Sequence, residues 1–176
     1  MELDLKLEFG CGDKQPKEGF VGVDIREYPH VKYICSAWEI DQHIEPNSVS
    51  EIYSRHFFEH LSFSQADKTI QAWKTILCHG GKMEMVVPNM LYHIYQWLDP
   101  DRKSKLVPGN SGLTLEEHAK RGFWGHQREG FEKIWDLHKS GYDWPLLFDF
   151  LTDNGFVEIQ QIDSMPKNLH VVAYKA

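Results

Sequence analysis

The chain has 176 residues and a mass of 20.6 kDa, with 41% hydrophobic and 26% charged residues. That is the balance of one globular domain with its own core and no room for a second. Lys and Arg number 19 against 26 Asp and Glu, a net charge of −7, which opposes binding along a phosphate backbone and argues against nucleic acid as a partner. Cys11, Cys35 and Cys78 are odd in number and far apart, as in a reduced cytoplasmic protein rather than a disulfide framework or a zinc finger. The acidic start Met1-Glu2-Leu3-Asp4 lacks the features of a signal peptide, and no apolar run approaches the ~20 residues of a membrane span.

Leu3, Leu5 and Leu7 alternate with charged residues and run into Glu8-Phe9-Gly10-Cys11-Gly12-Asp13, a strand ending in a glycine turn. Phe20 to Ile25 is a second predicted strand, Val31 to Ile34 a third, and Val49 to Ser54 a fourth, introduced by Pro46-Asn47-Ser48. Gly80-Gly81 opens a fifth, Met83 to Val87, stopped by Pro88. Between the last two, Ser64 is the expected cap of a helix with Ala66, Ile70, Trp73, Ile76 and Leu77 on one face. Strand, helix, strand with right-handed crossovers predicts an α/β fold, its largely parallel sheet covered on both faces. Near the end, a helix from Pro145 to Asp153 stops at Gly155, and Val157–Ile159 and His170–Tyr174 are joined too closely to be anything but antiparallel.

Residues 102–139 interrupt this alternation. They carry five glycines, no clear strand, and eight basic against five acidic residues, a local excess of +3. We read them as a basic insertion, within a single domain spanning residues 1–176, that lies over the ligand-binding edge of the sheet. Thr114 and Glu117 predict a capped helix within it.

Two patterns carry chemistry. In Glu8-x-Gly10-x-Gly12 the glycines let backbone amides approach a ligand, and Asp24, at the tip of the next strand, is placed to accept hydrogen bonds from both hydroxyls of a ribose. The 12 steps from Gly12 to Asp24 leave no room for a full first helix, and this, with no third glycine, argues strongly against a dinucleotide. The second pattern, His56-Phe57-Phe58-Glu59-His60, matches the zinc-hydrolase pattern H-x-x-E-H. On a helix both imidazoles would share a face, with Glu129 or Glu132 as a third ligand.

Taken with Gly22-Val23-Asp24-Ile25, the segment Val49 to Leu61, Leu77-Cys78-His79-Gly80-Gly81-Lys82 and Asn154-Gly155-Phe156, the first pattern resembles the class I S-adenosylmethionine-dependent methyltransferases, in particular small type 11 members. The resemblance implies a three-layer Rossmann-like fold, a mostly parallel seven-stranded sheet with an antiparallel last strand, here with a truncated first helix. It implies S-adenosylmethionine as cofactor, with Gly10 and Gly12 at its amino-acid end, Asp24 at the ribose, and Ser36, Ala37 and Trp38 beside the adenine. Glu8, Phe9, Cys11, Ile25, Ser54 and Arg55 complete the expected cofactor set.

His56 and His60, where the family places the donor methyl group, are the expected proton-handling residues, and no metal is assigned. Arg121, His126, Arg128 and His138 of the insertion are expected to hold the acceptor, an anion by their charge. Tyr92, Tyr95 and Trp97 are candidates for the wall of the same pocket, although packing explains their spacing equally well. Ser54-Arg55-His56-Phe57 departs from the Asn/Asp-Pro-Pro-aromatic signature of DNA and protein N-methylating enzymes of this fold, and Glu59 alone falls short of the carboxylates of metal-dependent catechol-type enzymes. The expected activity is therefore O- or N-methylation of a small-molecule, glycan or lipid-linked acceptor. The alternatives are a non-catalytic S-adenosylmethionine-binding protein and a zinc hydrolase using His56, Glu59 and His60.

Overall fold

A computed structural model describes residues 5–109, 112–127 and 131–176. Leu3 at the start of the first predicted strand, Arg128 and Glu129 lie outside the described residues. The strands are β1 (Leu5–Phe9), β2 (Val21–Asp24), β3 (Val31–Ile34), β4 (Val49–Arg55), β5 (Leu77–Pro88), β6 (Phe156–Ile162) and β7 (Asn168–Lys175). The helices are α1 (Phe63–Ile76), α2 (Met90–Leu98), α3 (Leu115–Trp124) and α4 (Trp144–Asp153), with 3-10 turns at Ala37–Gln42, Phe58–His60 and Phe131–Asp136.

The seven strands form one sheet in the order β3-β2-β1-β4-β5-β7-β6. The pairs β2–β3, β1–β2, β1–β4 and β4–β5 are parallel, and β7 runs antiparallel to both β5 and β6. Strand order reverses at β1, which lies between β2 and β4. In an open α/β sheet such a reversal leaves a crevice at the carboxyl ends of the strands, and ligands bind there.

Period-two alternation sorts the two faces. Leu7, Phe9, Ile52, Met83, Met85, Val171 and Ala173 are at most 1% exposed and pack under α1 and α4, which contribute Ile70, Trp73, Leu147 and Leu151 to the same core. Trp73 fills the centre, its ring 4.7 Å from that of Phe9 and 5.8 Å from that of Phe58. The opposite face carries a charged lattice in which Lys82 bridges Glu51 and Glu84, and His170 pairs with Glu84. On this face, where a first helix would lie, the loop between β1 and β2 runs instead, with the Lys17 ammonium 4.0 Å from the Tyr53 ring centroid. The cover expected on both faces is, on this side, a loop and an ion-pair network.

α1 starts two residues earlier than the sequence suggests. Ser62, not Ser64, is the cap, because a capping box needs Glu or Gln three residues on; Gln65 meets that need, donating its amide to Ser62 Oγ and accepting from the Ser62 amide. Thr114 and Glu117 form the equivalent box on α3. The segment after β4 is not an α-helix: His56 has a left-handed backbone, φ 49°, and a single 3-10 turn follows. No helix among the described residues is long and apolar enough to cross a membrane.

Candidate functional site

The first of two adjoining cavities, about 160 Å³, opens at the carboxyl ends of β1, β2 and β4. Of the expected cofactor residues, Phe9, Gly10, Asp24, Ile25, Ser36, Ala37 and Trp38 line it, as do both His56 and His60. Glu8, Cys11, Gly12, Ser54 and Arg55 do not. Glu8 instead accepts the Lys17 amide, Cys11 and Ser54 are buried, and Arg55 is exposed at the end of β4. Pattern reading missed Arg26, Gln65, Trp135 and Lys139, which also face this cavity, as does Asp136. Of these, Trp135, Asp136 and Lys139 carry a signal, since they lie in the insertion.

Asp24 is 6% exposed, and its carboxylate organises the floor of the cavity. Oδ2 accepts the Gly12 amide at 2.9 Å, while Oδ1 accepts the Arg26 amide at 2.9 Å and its Nε at 3.3 Å. The same guanidinium reaches Asp136 at 3.9 Å, linking the tip of β2 to the insertion. Gly10 (φ 70°) and Gly12 (φ 62°) take backbone conformations that disfavour a side chain. At Gly10 a second demand comes from within the protein, because a Cβ would stand 2.4 Å from the Phe57 ring. Burial pushes the thiols of Cys11 and Cys35 up to about 11, aided at Cys11 by Asp24 and at Cys35 by Glu39. A nearly buried acid, a glycine turn and Trp38 around one apolar-walled space fit an adenosine moiety, so the residues present suit S-adenosylmethionine.

The second cavity, about 440 Å³, shares His56, His60 and Asp136 with the first. Arg121, His126 and His138 of the insertion line it, together with Glu59, His93, His118 and Lys167. Tyr92, Tyr95 and Trp97 line neither cavity; Trp97 packs edge-on against Phe123 and Trp124. The residues of α2 that turn inward are His93 and Gln96, one helical turn apart. The Gln96 side-chain oxygen accepts from Nδ1 of His118 at 2.8 Å and of His93 at 3.3 Å. Burial, reinforced by His118, pushes His93 down to about 4.

Glu59 stands where the cavities meet. Its carboxylate is 3.3 Å from His56 Nδ1 and 3.9 Å from His138 Nε2. Its carbonyl accepts the amides of Lys139 and Ser140, which fastens the end of the insertion to the turn after β4. The His60 and His138 rings meet edge to face, centroids 4.9 Å apart. The helical pairing of His56 and His60 that the zinc-hydrolase alternative would need is absent, and His60 instead packs against His138, distant in sequence.

The strand order, the single antiparallel strand β7 and the crevice beside β1 define the class I S-adenosylmethionine-dependent methyltransferase fold. Solved structures agree over nearly the whole chain. A SAM-dependent methyltransferase from Methanosarcina mazei matches at a TM-score of 0.61 and 14% identity, covering 99% of this chain and 93% of that one. A SAM-dependent methyltransferase from Archaeoglobus fulgidus matches at a TM-score of 0.59 and 15% identity, covering 97% and 85%. The 1,6-didemethyltoxoflavin-N1-methyltransferase of Burkholderia thailandensis, solved with 1,6-didemethyltoxoflavin and S-adenosylhomocysteine bound, matches at a TM-score of 0.58 and 14% identity, covering 98% and 71%. No family model and no curated protein matches the sequence.

Proposed function

We propose that the protein is an S-adenosylmethionine-dependent methyltransferase whose acceptor is an anionic small molecule. The observation that carries this reading is the shared wall: His56, His60 and Asp136 face both the adenosine-fitting cavity and the larger one that Arg121 and Lys167 line, so donor and acceptor would meet there. A small-molecule acceptor is supported by the Burkholderia structure, which holds one beside the product of the same cofactor.

When bound, S-adenosylmethionine supplies a methyl group already activated on a sulfonium. The protein's part is then alignment and exclusion of water. Asp24 would accept from the ribose, the Gly10–Gly12 backbone would hold the amino-acid end, and Ser36, Ala37 and Trp38 would flank the adenine. Arg121 and Lys167, with His126, would hold the acceptor's negative charge. Arg128 is assigned the same role from sequence alone. His56, whose Nδ1 lies 3.3 Å from the Glu59 carboxylate, would take the proton released by a hydroxyl or amine acceptor, a contribution of roughly 10²- to 10⁴-fold.

Calorimetric titration of S-adenosylhomocysteine into chelator-treated protein tests this reading. Saturable binding is expected, weakened in Asp24→Ala by ~1 to 3 kcal/mol, the range of a hydrogen bond to a charged group. Absence of binding to the folded protein would refute it.

A further inference from the structure

Glu59 is the most buried carboxylate among the described residues, 1% exposed, and neither of its oxygens receives a hydrogen bond from them. Buried carboxylates are normally paired or bound to a cation, because desolvation disfavours the isolated charge. Three histidines face Glu59, and His56 holds its Nδ1 3.3 Å from a carboxylate oxygen without a hydrogen bond. His138 Nδ1 lies 2.8 Å from the Gly122 carbonyl, and His60 Nδ1 lies 3.1 Å from the Leu137 carbonyl. A carbonyl can only accept, so in both rings Nδ1 carries the proton and the neutral imidazole presents a lone pair at Nε2. His138 Nε2, the nitrogen with that lone pair, lies 3.9 Å from a carboxylate oxygen, a proximity that becomes favourable when a cation stands between them. Metal-binding histidines are oriented by this same second hydrogen bond.

We propose that Glu59, His60 and His138 form a binding site for a divalent transition-metal ion of the Zn²⁺ class, with one coordination position open to the second cavity. One ligand atom from each residue lies within 4.8 Å of the other two. Ligands of a tetrahedral zinc ion with bonds of ~2.0 to 2.2 Å stand roughly 3.3 Å apart, so ring rotation of the order of 1 Å closes the site. Two imidazoles and one carboxylate suit zinc and its neighbours rather than Mg²⁺ or Ca²⁺, which prefer oxygen. Three protein ligands are the number found where zinc keeps a position for substrate. All three residues line the second cavity. Resting on the methyltransferase reading in this respect alone, the open position would take an oxygen of the acceptor, and His56 would remain as the proton acceptor.

The test uses full-length protein freed of any polyhistidine tag, stripped with chelator and titrated with Zn²⁺ by calorimetry. One ion per chain is expected, with affinity lowered at least ~10-fold in His138→Ala and in Glu59→Gln and unchanged in His43→Ala, an exposed histidine remote from the cluster. A large excess of Mg²⁺ should not displace the ion. Thermal unfolding gives a second readout: Zn²⁺ should raise the midpoint of the wild type but not of His138→Ala, which also guards against a poorly folded Glu59→Gln. Binding retained equally in both cluster variants, displacement by Mg²⁺, or no stoichiometric binding would overturn the site. S-adenosylhomocysteine titrated into the same metal-free sample reads the cofactor proposal separately, so either can fail alone.

Discussion

The ring of Phe57 lies so close against Gly10 that a Cβ at that position would stand 2.4 Å from its Cδ2. The glycine turn after β1 is thus set by the residue that follows His56 as well as by any ligand. Gly10→Ala would force a side chain into a backbone with φ 70° and into an aromatic ring at once, at an expected ~1 to 3 kcal/mol of stability. Urea unfolding checks the magnitude. Phe57→Ala in the same chain should recover part of the loss, a coupling absent if the two residues were independent.

Acidification should unfold the protein through the histidines of α2 and α3. His93 is 4% exposed, and burial with the neighbouring His118 brings it down to about 4 from 6.5. Burial lowers His118 also. Above 6.5 both folded and unfolded states hold His93 neutral. Below it the unfolded chain takes up the proton first, so stability declines as pH falls toward the folded value, with a slope of up to about 1.4 kcal/mol per pH unit from this group. Denaturant unfolding at a series of pH values measures the slope, and His93→Asn should flatten it.

The two serines at the start of α1 are not equivalent. Ser62 Oγ accepts the Gln65 amide and closes the capping box, whereas Ser64 is exposed within the first turn. Ser62→Ala is expected to cost about 1 kcal/mol and Ser64→Ala much less. Thermal unfolding midpoints of the two variants, measured side by side, check the order; equal losses would contradict the cap.

Thiol chemistry reports on the first cavity. Burial pushes both Cys11 and Cys35 up to about 11, so neither supplies much thiolate at mildly alkaline pH, and alkylation there should be slow. Cys35 lines the cavity and Cys11 does not. Saturating S-adenosylhomocysteine should therefore slow iodoacetamide labelling of Cys35 further and leave Cys11 little changed, as read by peptide mass spectrometry. Unshielded Cys35 in the presence of ligand would remove the cofactor from this cavity.

Much of the architecture is legible residue by residue. Leu5, Leu7 and Phe9 alternate with Lys6 and Glu8, and this alternation puts the apolar set on the buried face of β1. Thr114 and Glu117 mark the start of α3 by their spacing. The short connection between the last two strands requires β7 to run against β6. Asp24, at the end of β2, is placed by its position after a period-two run. Each of these signals acts over a few residues, where backbone geometry and side-chain period are directly coupled.

The cluster around Glu59 was not legible in the same way. The spacing of His56, Glu59 and His60 suggests a helix, but a left-handed residue at His56 and a 3-10 turn disperse that face. His138 comes from the far end of a segment with little periodicity, and the amides of Lys139 and Ser140 dock on the Glu59 carbonyl. Local sequence determined the strands, the caps and the acid at the tip of β2, because period and capping are properties of neighbouring residues. Tertiary structure decided which histidine meets which carboxylate, because that depends on the path of the chain across the sheet edge and on hydrogen bonds between residues far apart in sequence.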